Sequence, residues 1–219
     1  MLAKKESPAT RELLNDPEIQ NALEEGTVFE LLPTLDPARA ERLKTWLAGA
    51  ARERLEEADD PELAIVRTRR AYEQQGRSRV WIDQRMRSVS ARHELTGEWY
   101  RRGMRDSDHF RALTNQMSQA AFGMDVETYR RYKGLFRTRE NLRDHMTDLE
   151  LSLLALAETT AVELHRSRRS SGFEALLLDA KEAGQIIGRT RGEIESQSGR
   201  PVVTAQNQLS SRPRRPMAA

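Results

Sequence analysis

Apolar residues along this chain recur at steps of three and four, with little alternation of apolar and polar positions, so the pattern predicts helices and almost no strand. Asp36-Pro37 sets an N-cap before a proline at the first helical position, and a helix follows to about Glu57 with Leu43, Trp46, Leu47 and Ala50 on one face. Asp60-Pro61 repeats that start, and Gly76 ends the second helix near Gln75. Ser78 opens a long basic helix to Arg102, closed by Gly103. Ser107 opens the next, to Phe122, with Gly123 as its stop; a short one from Val126 to Lys133 ends at Gly134.

The most apolar stretch is NLRDHMTDLELSLLALAETTAVELHR, residues 141–166. Thr147 and Glu150 have capping-box spacing: the hydroxyl can accept from the N–H of Glu150 while the carboxylate reaches back to the N–H of Thr147. Leu149, Leu153, Leu156, Ala157, Thr160, Ala161 and Leu164 then follow at helical spacing, and Leu151 and Leu154 widen the stripe. A helix apolar over so much of its circumference belongs at the centre of a fold. A last helix is expected from Gly172 to Gln197, capped by Ser171 and stopped by Gly199. The closing PVVTAQNQLSSRPRRPMAA is polar, basic and broken by prolines, the composition of a disordered tail.

The expected fold class is therefore all-α: a multi-helix, bundle-like domain with a small helical N-terminal region and a disordered basic C-terminal tail. The boundaries fall at a short N-terminal segment 1–30, a helical region 31–75, a main helical domain 76–203 and a tail 204–219. Composition agrees, with 32% charged and 5% aromatic residues in a chain of 219. Cysteine is absent, which excludes disulfides and thiolate metal sites and fits a reducing compartment. No apolar run approaches the roughly 20 residues of a membrane span, and the first residues lack a signal-peptide core, so a cytoplasmic protein without membrane contact is expected.

Charge changes the picture. The net is only +2, but residues 1–65 carry 8 basic and 15 acidic side chains, whereas residues 66–140 carry 17 and 9. Sixteen of those seventeen bases are arginine. Such a centre points to nucleic acid, to an acidic partner or to neutralisation within the chain. Trp81, Arg85, Ser88, Arg92, Leu95 and Trp99 share one helix face. Arginine beside tryptophan can hold phosphate and stack on bases, or the tryptophans can be buried with the arginines reaching out at the rim. Arg101 and Arg102 extend the basic surface. Residues 117–133 have a helix–turn–helix flavour, with Arg130, Arg131 and Lys133 on the second helix; an αα-corner is the plainer alternative. The candidate nucleic-acid or partner contacts are thus Arg85, Arg92, Arg101, Arg102, Arg130, Arg131 and Lys133.

Ala180, Gly184, Gly188 and Gly192 recur every fourth residue on the last helix. An interior glycine costs a helix about 1 kcal/mol relative to alanine, so this ridge implies a close neighbour. The alternatives are packing against the 149–164 helix or a homodimer seam, and Gly192→Leu is expected to disturb whichever it is.

Catalytic motifs fail on spacing. Asp144 and His145 stand beside the capping box, but no Glu-x-x-His repeat accompanies them, and a helical metal-dependent hydrolase lacks its ligands. His93-Glu94-Leu95-Thr96-Gly97 begins like a zinc motif and has glycine where the second histidine belongs. Gly184 to Thr190 has glycine spacing too short for a phosphate-binding loop, and Arg189 stands in place of its lysine. No enzyme, metal or cofactor is expected.

The segments ERLEEADDPELAI (53–65), ARHELTGEWYRRGM (91–104), ALTNQMSQAAFGM (112–124), YKGLFRTRENLRDHMTDLEL (132–151) and GFEALLLDAKEAGQIIGRTRGEIESQSGRPVV (172–203) resemble, in order, bacterial and prophage proteins of the DNA-damage-inducible protein D type, often grouped with BRO-family or antirepressor-like proteins. The resemblance covers about residues 30–203. Members usually begin with a larger, strand-containing BRO domain credited with DNA binding. Here only its final helical portion is matched, at residues 31–57, so most of that domain is expected to be missing. The resemblance implies a non-enzymatic regulator of the DNA-damage or prophage response. Its partners would be DNA, single-stranded or duplex, a recombinase filament or a repressor. A homo-oligomeric protein–protein module is the alternative.

Overall fold

The computed structural model describes residues 7–137 and 140–207. Among them are ten α-helices and no strand, as the apolar spacing predicts. The chain divides into two units, 1–71 and 72–219.

The first unit contains α1 (Pro8–Leu14), α2 (Pro17–Glu25), α3 (Val28–Leu31), a 3-10 turn at Leu32–Thr34, α4 (Pro37–Asp59) and most of α5 (Glu62–Gln74). Three of its helices start alike, with proline in the first turn behind an oxygen-bearing cap. Ser7 Oγ accepts from Thr10 N–H, Asp16 from Glu18 N–H, and Asp36 from Ala38 and Arg39 N–H. Leu13, Ile19, Ala22, Val28 and Leu43 form its core, with Trp46 and Leu47 packed at the edge. The expected segment 1–30 is thus largely helical, and it shares one core with the helix predicted from residue 37. Residues 1–6 lie outside the description.

The second unit is built from α6 (Arg79–Arg101), α7 (Ser107–Phe122), α8 (Val126–Tyr132), a 3-10 turn at Leu142–His145, α9 (Asp148–Ser167) and α10 (Phe173–Ser198). α9 packs on α6 and on α10, and α10 packs on α7, so α9 has the central position its composition predicts. Its buried residues include Leu151, Leu153, Ala157, Ala161 and Val162, whereas Leu149 and Leu156 face outward. The inward stripe is narrower than the run of leucines implies, and Glu150, Glu158 and His165 share the buried face. α10 is capped not by Ser171 but by Gly172, at φ 81°, with no side-chain bond to the first turn.

The small-residue ridge packs within the chain, on α7 rather than α9. A Cβ on Gly184 would lie 2.5 Å from Met117 O and 2.7 Å from Ala120 Cβ; one on Gly188 would lie 2.6 Å from Ala120 O. Ala180 is buried in the same core. Gly192 has open space around its Cβ position, so the expectation that a larger residue there disturbs an interface finds no neighbour to act through.

The segment after α10 departs most from expectation. Val202 and Val203 are buried in the core of the second unit. Thr204 N–H donates to Glu150, and Asn207 Nδ2 donates to Lys133 O. Residues 204–207 are therefore docked. The remainder of the expected disordered tail, 208–219, lies outside the described residues.

Candidate functional site

The α6 face singled out in the sequence turns inward. Trp81 and Trp99 are buried, and each indole N–H finds an acceptor: Met146 O at 2.9 Å and His165 Nε2 at 3.1 Å. Arg85, also buried, donates to Asp144 at 2.8 Å. Arg92 donates to Thr114 Oγ1 at 3.0 Å and lies over the Trp99 ring at 5.2 Å. Arg143 bridges the helices, reaching Ser88 O at 3.2 Å and Glu158 at 2.6 Å. The stripe Trp81–Arg85–Ser88–Arg92–Trp99 is thus an internal polar seam. Arg85 and Arg92 pair with carboxylates of the turn and of α9 and do not form an exposed face for a nucleic-acid backbone.

Asp144 and His145 part company in the turn. Asp144 accepts from Tyr72 OH and Arg85, and its carbonyl accepts from Arg77. Arg77 stacks over Trp81 at 4.1 Å. His145 Nδ1 lies 2.6 Å from Asn207 Oδ1. No group of three or more His, Asp or Glu side chains among the described residues is placed to hold a metal ion.

The Thr147–Glu150 capping box forms, and it is the local part of a larger hub. Glu150 is fully buried. Its carboxylate accepts from Tyr129 OH at 2.8 Å, Lys133 Nζ at 2.8 Å, Thr147 N–H at 2.6 Å and Thr204 N–H at 3.3 Å. Burial and the adjacent Glu150 charge push the Tyr129 hydroxyl well above its ordinary range, so it stays a donor. Lys133, a predicted phosphate contact, is buried in this hub with Gln206 O as its second acceptor. It has no exposed charge to give a partner.

A second buried network closes the hairpin of α9 and α10. The indole N–H of Trp99 can only donate, so Nε2 of His165 carries no proton and Nδ1–H donates to Asp179 Oδ2 at 2.9 Å. Burial lowers the His165 pKa from 6.5, against the pull of Asp179. Burial pushes Asp179 up, but bonds from Ser170, His165 and Arg168 outweigh it and hold the carboxyl below its ordinary range. The unfolded chain takes up a proton on this imidazole near pH 6.5, whereas the folded one resists to lower pH. Protons therefore favour the unfolded state, and stability that is full above pH 6.5 falls as the pH drops below it. Urea denaturation between pH 7.5 and 5 is expected to show this decline in the native chain and a shallower one in His165→Asn. Equal slopes would remove His165 as the cause.

What remains at the surface is smaller than the list of arginines suggests. Arg101 is exposed but donates twice to Glu98, and Arg102 donates to the same carboxylate from the other side. Burial pushes Glu98 up, and these bonds bring it down to about 2. Arg130 folds back on the carbonyls of Arg137 and Glu140, clamping the turn after α8. Arg131, beside it, is exposed, with a long 3.5 Å bond to Thr128 Oγ1. Next to Arg131 stand two aromatic rings that the core does not use: Tyr132 is 44% exposed and Phe136 81%. Arg137 is exposed as well. The end of α8 and the turn after it thus expose Arg131, Tyr132, Phe136 and Arg137. Tyr132, Phe136 and Arg137 were not among the candidates from sequence; the run RRYKGLFR, with aromatics among charges and no apolar period, is the signal that marks them.

No protein-family model matches the chain, and no curated protein matches it.

Proposed function

We propose that the chain is a non-enzymatic regulator that binds DNA, with the turn after α8 as its contact and the bacterial DNA-damage or prophage response as its setting. The setting rests on the resemblance of residues 30–203 described above. The contact rests on one observation: exposed Arg131 and Arg137 flank exposed Tyr132 and Phe136 on a turn clamped by Arg130. Guanidinium groups pair with phosphates, and aromatic faces stack on unpaired bases at about 1–3 kcal/mol per base. That chemistry favours single strands, such as those exposed at damaged or recombining DNA, over intact duplex. Gly184 and Gly188 face α7 and so give the homodimer alternative no seam at those two positions.

Fluorescence anisotropy of a labelled single strand and the matching duplex tests this at two salt concentrations. Tighter binding to the single strand, weakening steeply with salt, is expected. Arg131→Glu with Arg137→Glu is expected to weaken it by about tenfold or more. Tyr132→Ala with Phe136→Ala is expected to reduce single-strand binding more than duplex binding. Curves unchanged by the charge reversals, or no binding at low salt, would leave this turn without the role.

A further inference from the structure

A cavity of about 440 Å³ opens between α6, α7, α8, the 3-10 turn and α9. Its size is within the common range for small-molecule sites. Four guanidinium groups line it, from Arg85, Arg92, Arg130 and Arg143, against one carboxylate, Glu158. Arg85 is matched by Asp144, and Arg92 and Arg143 share Glu158, at 3.7 and 2.6 Å. Arg130 is held by carbonyls, with Glu127 at 3.7 Å. Cationic charge is therefore in excess at the wall.

Two buried polar atoms in this wall have no hydrogen-bond partner among the described residues: Nη1 of Arg92 and Oε2 of Glu158. Glu158 itself is fully buried. An orphaned polar atom of this kind costs about 1–3 kcal/mol, more when charged, so two in one wall demand a reason. The lining also carries apolar side chains, from Met117, Phe122, Leu142, Met146 and Leu154, and exposed His93 and Asn141 stand among them.

We propose that this cavity binds a small amphipathic anion, a carboxylate or phosphate monoester on an apolar or aromatic body. The oxyanion meets Arg92, and the body lies against the methionines, Phe122 and the leucines. A cation is repelled by the four arginines. A wholly apolar guest leaves the Nη1 of Arg92 without an acceptor. An oxyanion gives the Nη1 of Arg92 the acceptor it lacks, and the excess of arginines in the lining favours its charge. Arg130 borders this cavity as well as clamping the turn after α8, but the proposal does not depend on DNA binding.

Calorimetric titration of the full chain with benzoate, phenyl phosphate, inorganic phosphate and benzyl alcohol is the test. Benzoate or phenyl phosphate is expected to saturate one site, and which of them binds tighter distinguishes carboxylate from phosphate. Inorganic phosphate and benzyl alcohol, each lacking half of the recognised chemistry, are expected to bind at least about tenfold more weakly. Arg92→Gln is expected to weaken binding by about tenfold or more. Val89→Phe fills the cavity without changing charge and is expected to abolish binding while circular dichroism stays that of the native chain. The proposal is overturned if neither aromatic anion binds up to about 10 mM. It is equally overturned if benzyl alcohol binds as tightly as benzoate, or if Val89→Phe folds and binds like the native chain.

Discussion

Glu150→Leu is expected to destabilise the second unit by about 3–5 kcal/mol, a large part of the 5–15 kcal/mol that holds a domain of ordinary stability. The cause is what it strands. Lys133 is buried with Glu150 as its counter-charge, and Tyr129 OH and the Thr147 and Thr204 N–H groups aim at the same carboxylate. Removing the acid leaves an uncompensated ammonium in the core, which costs more than the pair contributes when intact. Lys133→Met alone leaves the carboxylate with three neutral donors and is expected to cost less. The double variant removes both charges together, so its loss is expected to fall short of the sum of the singles. Urea denaturation of the four proteins measures the coupling. Losses that simply add would mean that Lys133 and Glu150 do not act as a pair.

Gly184→Leu is expected to cost about 3 kcal/mol or more. Even a Cβ at this position meets the backbone oxygen of Met117 at 2.5 Å, and a backbone atom cannot rotate away as a side chain can. α10 must lift off α7, loosening the helix pair on which Ala180 and Ile187 are buried. The smaller change Gly184→Ala carries the same clash, offset by only about 1 kcal/mol of helix propensity. Gly192→Ala is the control. It lies in the same ridge, eight residues on, with nothing within 4 Å of the added carbon, so it is expected to gain about 0.5–1 kcal/mol. Thermal unfolding of the three variants separates the positions. A stabilised Gly184→Ala would show that α7 and α10 do not approach this closely.

The contrast between those two glycines shows how far the sequence could be read. A period of four marks a ridge of small residues, but it does not say what fills each notch. The period is local, and the partner helix lies more than sixty positions away. The same holds for α6. The steps of three and four put Trp81, Arg85, Ser88, Arg92 and Trp99 on one face correctly. Whether that face turns inward depends on Glu158 and Asp144, which come from other elements. The Thr147–Glu150 box was legible because it spans three residues. The rest of the hub was not, since Tyr129, Lys133 and Thr204 join it only through the tertiary fold. Helices α1 to α3 have 7, 9 and 4 residues, too few for a period of 3.6 to declare itself. The starts of α1 and α2 were nonetheless written in Ser7-Pro8 and Asp16-Pro17, the same signal that marks α4. The segment 201–207 misled by composition. It is polar and begins with proline, yet two valines in sequence suffice to dock it.

That docked segment has a consequence for how the chain is made. A protein is synthesised from its N-terminus, and Tyr129, Lys133 and Glu150 leave the ribosome long before Thr204 and Gln206. Until residues 201–207 arrive, the ammonium of Lys133 lacks one of its acceptors, Oε1 of Glu150 has Tyr129 OH but not Thr204 N–H as a donor, and the hollow that receives Val202 and Val203 stands open to water. The nascent second unit is therefore held in an unfinished, stickier form while its last residues are still being added, and its native core closes only when they are free to fold back.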